Sequence, residues 1–195
     1  MEQIMAEVLV NLSNRHIHLS QEDVDVLFGA GYELKKLKDL MQPGQFAAEE
    51  IVTIVGDKGR IEKVRVLGPC RAESQCEIMQ SDAVRLTTVT VPVKESGKLD
   101  GSASFEIVGP AGSVKKDRGL IIAKRHIHMD PESAEKFGLE DNQVVKLKLG
   151  IEGRETIYGD VVARVNKAYA LEAHLDLDEG NACGIGNGTM AEIIK

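Results

Sequence analysis

The phrase Asn14-Arg15-His16-Ile17-His18-Leu19-Ser20 returns 110 residues later as Lys124-Arg125-His126-Ile127-His128-Met129-Asp130. Each copy follows an apolar, β-branched run, at residues 7–10 and 120–123, and such runs are typical of strands. Residues i and i+2 of a strand project from the same face, so the two histidines of each copy point together and the isoleucine between them points away. Two adjacent imidazoles on one strand face are the beginning of a metal site.

The segment that follows each copy is also repeated. Ser20, with an acidic residue three positions later, predicts a helix N-cap, and Asp130 followed by Pro131 predicts the same. Both short helices are expected to end at a Phe-Gly pair, at residues 28–29 and 137–138. The repeated order of strand, histidine pair, cap, short helix and Phe-Gly indicates an internal duplication.

Two histidines leave a metal site incomplete, so each half of the chain needs a third ligand. In the second half the remaining histidine, His174, lies on a predicted strand at residues 170–175. The matching position in the first half is Glu77, on a predicted strand at residues 74–79, and a cap-like pair of residues follows both. The sequence therefore predicts two three-ligand sites, which leave coordination positions open for water or substrate.

A second ligand assignment competes with this one. Glu22 and Glu132 each follow a histidine pair by four residues, and His-x-His-x-x-x-Glu is the ligand run of cupin barrels, so two copies would suggest a bicupin oxygenase or isomerase. The predicted caps place both glutamates in first turns of helices, where interaction with the helix N-terminus is the expected role. A binuclear thioester hydrolase is a further alternative. A module with structural metal alone fits poorly, because structural zinc usually has four protein ligands.

Composition and charge argue against a nucleic-acid partner, a membrane span and a secreted protein. The 195 residues carry a net charge of −7, which argues against nucleic acid, because binding to a phosphate backbone needs a positive surface. No apolar run approaches the length of a membrane span, and residues 1–5 lack the features of a signal peptide. Three cysteines without a Cys-x-x-Cys motif (Cys70, Cys76 and Cys183) indicate reduced thiols in a reducing compartment.

Elsewhere the chain consists of many short predicted strands separated by Gly-rich turns, with a few short predicted helices. This pattern predicts a mainly β fold of compact barrels capped by short α-helices. We expect a first strand over residues 6–19 that ends in the histidine pair, a linker-like stretch over residues 94–102, and a final edge strand over residues 189–194.

Three longer phrases, at residues 13–20, 42–50 and 123–129, resemble phosphotransacylases of the propanediol-utilisation type, a family of phosphate propanoyltransferases. The resemblance implies reversible conversion of a short-chain acyl-CoA, propanoyl-CoA or acetyl-CoA, and phosphate into acyl phosphate and free CoA. It also implies two pseudo-symmetric β-barrels with two zinc ions between them. One barrel would comprise residues 1–15 and 124–195, and the other, with helical insertions, residues 16–123.

The functional residues of that family fall on matching positions of this sequence. The resemblance implies a first zinc held by His16, His18 and Glu77 and a second held by His126, His128 and His174. The phosphate-contacting arginine falls on Arg71, and the CoA contacts fall on Leu12, Ser13, Asn14, Lys58, Arg65 and Asn181. With these residues we expect zinc to stabilise the departing CoA thiolate and phosphate to attack directly, without a covalent enzyme intermediate.

The resemblance also sets expectations for partners and location. The expected partners are the small molecules acyl-CoA and phosphate, together with a second copy of the chain in a homodimer. Family members packaged in bacterial microcompartments carry an amphipathic N-terminal extension, and few residues precede Ser13 here. We therefore expect the bacterial cytoplasm. Cys70 and the pair Thr87-Thr88 depart from the family pattern, and neither touches a predicted ligand.

Overall fold

The computed structural model describes residues 6–195, so the prediction about a signal peptide concerns residues outside the described range. In chain order the elements are β1 (Glu7–Ser13), β2 (His16–His18), α1 (Gln21–Phe28), β3 (Lys36–Asp39), β4 (Phe46–Val55), β5 (Arg60–Gly68), β6 (Gln75–Glu77), α2 (Gln80–Leu86), β7 (Val93–Lys94), β8 (Ala103–Val108), β9 (Ser113–Ala123), β10 (His126–Met129), α3 (Pro131–Phe137), β11 (Val144–Leu149), β12 (Thr156–Val165), β13 (Glu172–Asp176), α4 (Leu177–Cys183) and β14 (Thr189–Ile194). Within this range no helix is both long and apolar enough to cross a membrane.

Six strands close into a first barrel in the order β1-β13-β10-β12-β11-β14. The strand with the second histidine pair, β10, lies between β12, which runs parallel to it, and β13, which runs antiparallel. β1 also pairs on both sides, parallel with β13 and antiparallel with β14. The barrel interior is aliphatic, as expected from a chain with few aromatic residues, and its fully buried members include Val10, Ile127, Leu147, Val161 and Ala173.

A second barrel closes through β2, β5, β4, β8, β9 and β6. Its pairing repeats that of the first barrel: β2 lies between parallel β5 and antiparallel β6, and β9 pairs in parallel with β6 and antiparallel with β8. The short strands β3 and β7 add to β4 and β9 outside this ring. The equivalence of the two pairing patterns confirms the predicted mainly β fold of two barrels with short helices, and it agrees with an internal duplication.

The strand before each histidine pair belongs to the barrel that does not contain that pair. β1 leads along the chain into β2 but pairs with β13 and β14, and β9 leads into β10 but pairs with β6 and β8. The prediction of one continuous strand over residues 6–19 is therefore wrong. The chain leaves the strand conformation at Asn14 and Arg15, where the Asn14 side-chain oxygen accepts a hydrogen bond from the Arg15 backbone N–H at 2.8 Å.

The prediction of an edge strand at the C-terminus is also wrong. β14 pairs with β1 on one side and with β11 on the other, and so completes the first barrel. Closure of a barrel leaves no unpaired edge, so an element that looks terminal in the sequence becomes interior to the sheet.

The chain divides into two compact units that contain one barrel each. The first unit consists of the segment that ends at Ser13, residues Met41–Pro43 and residues Lys124–Lys195. The second unit consists of Asn14–Leu40 and Gly44–Ala123. The first therefore holds the second histidine pair together with the exchanged strand β1, and the second holds the first pair together with β9.

The helices after the histidine pairs begin where the sequence predicts. The Ser20 side chain accepts a hydrogen bond from the backbone N–H of Asp23 at the start of α1. Asp130 accepts from the backbone N–H of Ser133 at the start of α3, whose first residue is Pro131. Because each cap directly follows a histidine strand, it sets the point at which the chain turns away from the metal-ligand candidates.

Candidate metal centres and active site

The first histidine pair lies beside Glu77. His16 and His18 project from β2, and Glu77 projects from the antiparallel strand β6 at the position opposite His16. Ile17 points into the barrel interior and is fully buried, as the alternation of side chains on a strand predicts. One ligand atom from each of the three residues lies within 4.8 Å of the other two, and His16 Nε2 is 3.5 Å from a Glu77 carboxylate oxygen. We call this group the first triad.

The second histidine pair forms an equivalent group with His174. His126 and His128 project from β10, and His174 lies opposite His126 on the antiparallel strand β13. Their candidate ligand atoms also lie within 4.8 Å of one another, and the ring of His174 is centred 4.8 Å from that of His126. We call this group the second triad. The strand register thus places Glu77 and His174 at equivalent positions of the two barrels.

Backbone carbonyls fix the orientation of the first histidine in each triad. His16 Nδ1 lies 2.8 Å from the carbonyl oxygen of Asn14, and His126 Nδ1 lies 2.9 Å from that of Lys124. A carbonyl can only accept, so in both rings Nδ1 carries a proton. Metal-binding histidines are commonly held in this way, with one nitrogen donating to a carbonyl and the other free to bind.

Three other ring nitrogens are buried without a hydrogen-bond partner among residues 6–195: His18 Nδ1, His128 Nδ1 and His174 Nε2. Nε2 of His174 is 3.3 Å from a Glu172 carboxylate oxygen, but this contact lacks hydrogen-bond geometry. A buried polar atom without a partner is costly, and such atoms normally have an explanation in function or in a missing ion.

The buried rings of His18 and His128 are neutral near physiological pH. Burial lowers the pKa of His18 well below its usual value, and the charges of His16 and Arg71 act in the same direction. Burial, followed by the neighbouring rings of His126 and His174, lowers the pKa of His128 to about 2. Neutral imidazole is the form that binds a metal, so both triads present the donor atoms that zinc or a similar divalent ion requires.

The arginine before each histidine pair forms an ion pair with a helix. Arg15 Nε lies 2.7 Å from Asp82, and Arg125 Nε lies 2.5 Å from Glu179. These acids occupy the third position of α2 and of α4, which are the helices that directly follow the strands with Glu77 and His174. Each ion pair therefore links the histidine strand of a triad to the strand that supplies its third member.

Comparison with known proteins identifies the family. The phosphate propanoyltransferase family matches residues 9–186 of this chain. A phosphate propanoyltransferase of Thermotoga maritima is 51% identical over 188 residues, which cover 96% of this chain and 89% of that protein. One from Clostridioides difficile is 51% identical over 190 residues, covering 97% of this chain and 90% of the relative. The chain belongs to the phosphate propanoyltransferase family. It is therefore a transferase that acts on acyl-CoA with phosphate.

Arg71, the predicted phosphate-binding residue, lies near the first triad. Its guanidinium donates to the hydroxyl oxygen of Ser96 at 3.0 Å, and Ser96 also accepts from the Gln75 amide at 2.8 Å. Gln75 in turn donates to a carboxylate oxygen of Glu77 at 2.6 Å. This chain of hydrogen bonds connects Arg71 to a member of the first triad. Sequence reasoning missed Ser96, because it lies in the stretch that we interpreted as a linker.

The predicted CoA contacts lie in both units. In the second unit, Arg65 is opposite His16 on the parallel strand β5, and its guanidinium donates to the backbone carbonyls of Ala48 and Glu49. Lys58 lies in the turn between β4 and β5, and Asn14 lies where the chain leaves β1. In the first unit, Leu12 and Ser13 end β1, and Asn181 is on α4. Their assignment to CoA stays a prediction.

One close approach explains how α4 is placed against β1 within the first unit. A β-carbon added to Gly180 would lie 2.3 Å from a methyl carbon of Leu12, so only glycine lets the helix come this close without a shift. Asn181 follows this glycine directly on α4.

The glutamates of the cupin alternative are not gathered with the histidines. Glu22 and Glu132 are exposed in the first turns of α1 and α3. The groups of candidate metal ligands found among residues 6–195 contain Glu77 and His174 as third members instead.

Glu172 is a site residue that sequence reasoning missed. It is 3% exposed and lies two residues before His174, on the same face of β13. The side-chain amides of Asn11 and Gln42 donate to its two carboxylate oxygens at 2.7 and 2.6 Å. Burial alone would raise the pKa of Glu172, but its contact with His174 and these amide hydrogen bonds lower the pKa to about 2. The carboxylate is therefore ionised. The sequence offered one signal for Glu172: it is two residues from His174 on a predicted strand, so the two side chains share a face.

Proposed function

We propose that this protein transfers a short acyl group, propanoyl or acetyl, reversibly between CoA and phosphate, and that it uses two zinc ions. The observation that supports the proposal is the pair of triads. Their donor atoms are gathered on equivalent strands and include buried ring nitrogens without a partner, in a chain of the phosphate propanoyltransferase family. We infer one zinc for each triad.

The residues that would hold the two ions are those of the triads: His16, His18 and Glu77 for one, and His126, His128 and His174 for the other. When bound, zinc supplies positive charge that lowers the pKa of a coordinated thiol and stabilises developing negative charge on oxygen. Three protein donors for each ion leave room for an exchangeable ligand, which is the arrangement of catalytic zinc sites.

The role proposed for Arg71 is to bind phosphate and hold it for attack. Guanidinium groups bind phosphate oxygens through paired, charge-assisted hydrogen bonds. A phosphate oxygen attacks the carbonyl carbon of the thioester, the C–S bond breaks, and its electron pair leaves with the CoA sulfur. Acyl phosphate forms, and the reverse reaction uses the same groups. Holding both reactants in place can supply about 7–11 kcal/mol of such a barrier.

The state of the three cysteines supports direct attack by phosphate. Burial raises the pKa of the Cys76 thiol far above its usual value, and burial followed by the charge of Asp25 raises that of Cys70. Cys183 is buried, and its sulfur contacts the carbonyl oxygens of Glu179 and Gly180. Thiolate is the nucleophilic form of cysteine, so Cys70 and Cys76 are poorly prepared to form an acyl-enzyme intermediate.

The test is thiol release from propanoyl-CoA and from acetyl-CoA, with and without phosphate, on protein whose metal content has been measured. We expect release that depends on phosphate, acyl phosphate as product, and two zinc ions per chain. Thiol release without phosphate would indicate a thioester hydrolase. Bound iron or manganese without thiol release would indicate the cupin-type alternative and direct attention to Glu22 and Glu132.

The proposed homodimer is tested separately. Light scattering coupled to size-exclusion chromatography should give twice the chain mass of 21.2 kDa. A mass equal to one chain would contradict the dimer and would leave the proposed reaction untouched.

A further inference from the structure

A line of three side chains crosses the outer face of the first barrel at the second triad. Arg164 on β12 and Glu172 on β13 are the residues directly opposite His128 on β10. Opposite residues of neighbouring strands project from the same face of a sheet. The residues at the adjacent register positions, Ile127 and Ala163, are fully buried in the barrel interior, so the line faces the other way.

No counter-charge is bound to the side chain of Arg164 within the described part of the chain. Its side chain forms no hydrogen bond or ion pair with another residue in the described range 6–195, although it is only partly exposed. The carboxylate on the opposite side of His128 is turned elsewhere, because both oxygens of Glu172 accept hydrogen bonds from Asn11 and Gln42. A partly buried guanidinium without an anionic partner is costly, and a bound anion removes that cost.

Tyr169 lies close both to His128 of the triad and to the Arg164 guanidinium. The ring of Tyr169 is centred 4.2 Å from that of His128 and inclined to it by 34°. The Arg164 guanidinium carbon lies 6.0 Å from the centre of the same tyrosine ring, at the outer range of a cation–π contact. The electrostatic effect is consistent with this placement: Arg164 contributes to the lowered pKa of His128, after burial and the two neighbouring histidines.

The equivalent line in the second barrel carries no charge. There Leu67 on β5 and Gln75 on β6 are opposite His18. The duplicated architecture therefore does not require an arginine at this register position, and no backbone or core contact of the described chain explains Arg164. The feature belongs to the second triad alone.

We propose that Arg164 and the second triad form an oxyanion-binding site of this enzyme, which takes a phosphate-type oxyanion of a substrate. Guanidinium is suited to this ligand because it presents paired N–H donors to tetrahedral oxyanions. The identification of the anion as a substrate rests on the proposed function. Such a group can come from two sources. One is inorganic phosphate or the phosphoryl group of acyl phosphate, and the other is a phosphate ester of CoA.

The experiment uses zinc-loaded full-length protein and three variants. Arg164→Gln removes the charge, Arg164→Lys keeps it, and Lys167→Gln removes a charge from an exposed position three residues away. Phosphate and CoA are titrated separately by calorimetry, KM is measured for both, and zinc is counted in every sample. For Arg164→Gln we expect affinity for one of the two ligands to fall about tenfold or more, which corresponds to about 1.4 kcal/mol. Arg164→Lys should recover part of that loss, and Lys167→Gln should bind both ligands as the wild type does.

The ligand that weakens identifies the source of the anion. A loss for phosphate alone assigns the site to phosphate and acyl phosphate, and a loss for CoA alone assigns it to a phosphate ester of CoA. Unchanged affinity for both ligands overturns the proposal, as does an equal loss in Lys167→Gln or a loss of zinc in Arg164→Gln. If the wild type binds anions through Arg164 but shows no phosphate-dependent thiol release, the proposed function fails and the anion site stands.

Discussion

The buried histidine of the second triad should make the metal-free protein sensitive to acid. Burial, followed by the rings of His126 and His174, lowers the pKa of His128 to about 2 in the folded chain. An imidazole in the unfolded chain titrates near pH ~6.5. Below that pH the unfolded state binds a proton that the folded state does not. The contribution of His128 to the free energy of unfolding is therefore fully present above about pH 6.5. It is lost progressively as the pH falls toward the folded pKa.

The size of the effect follows from the same two pKa values. At about pH 5, protonation of this imidazole lowers the free energy of the unfolded state by about 2 kcal/mol. His128 in the folded chain stays neutral, so the folded state gains nothing. The lowered pKa of His18 acts in the same direction and adds to the loss in the wild type. A glutamine at position 128 keeps a polar side chain of similar size but does not titrate, so it removes the contribution of His128 alone.

The assay is urea unfolding of chelator-treated protein, followed by circular dichroism, for the wild type and His128→Gln at about pH 8 and pH 5. The comparison uses the change in the free energy of unfolding between the two pH values, so any constant cost of the substitution cancels. We expect the decrease from pH 8 to pH 5 to be smaller in the variant by about 2 kcal/mol. An equal decrease in the two proteins would refute the reasoning that His128 is buried and neutral in the folded state.

Three further substitutions test separate parts of the site and the core. Arg71→Ala should raise KM for phosphate about tenfold or more and lower turnover, because it removes a charge-assisted contact to the anion; unchanged phosphate kinetics would exclude this role. Arg125→Met breaks a partly buried ion pair and should reduce the free energy of unfolding by about 1–3 kcal/mol, with faster loss of zinc to a chelator. Arg60→Met breaks an exposed ion pair and serves as its control, so similar losses in both would contradict a positioning role for Arg125. Ile127→Ala should cost about 2–5 kcal/mol in urea unfolding, whereas Ile157→Ala, at a position that is 55% exposed, should cost far less.

Local patterns in the sequence were sufficient to predict the elements around each histidine pair. The alternation of His16, Ile17 and His18 determines which side chains share a strand face, and the caps at Ser20 and Asp130 depend on contacts within three residues. The exchange of the preceding strands between barrels could not be predicted from local patterns, and only the family resemblance, with its division into residues 1–15 plus 124–195 and residues 16–123, implied it. It depends on which distant strand β1 pairs with, and residues adjacent in sequence do not determine that choice.

The same distinction explains what was found and missed at the site. Glu77 and His174 were recognised because the cap-like residues after them repeat, and this repetition is visible in the sequence. Arg164 was missed because its position beside His128 depends on the parallel register of β12 against β10, which no local signal encodes. Glu172 had a usable signal, its spacing from His174, but a buried ionised carboxylate is explained only by the amides of Asn11 and Gln42 that reach it.

The two triads have the same strand arrangement but differ in where the negative charge lies. In the first, the carboxylate of Glu77 is a candidate ligand, and the residue two positions earlier is the neutral Gln75. In the second, the third member is the imidazole of His174, and the carboxylate is found two positions earlier, at Glu172. An ion bound by three imidazoles keeps more of its positive charge for an incoming anion than one with a carboxylate ligand, and Glu172 partly offsets this only from outside the donor set. Arg164 adds a positive charge on the side of His128 away from Glu172, so the divergence of the duplicated halves favours the second triad as the place where a substrate oxyanion binds.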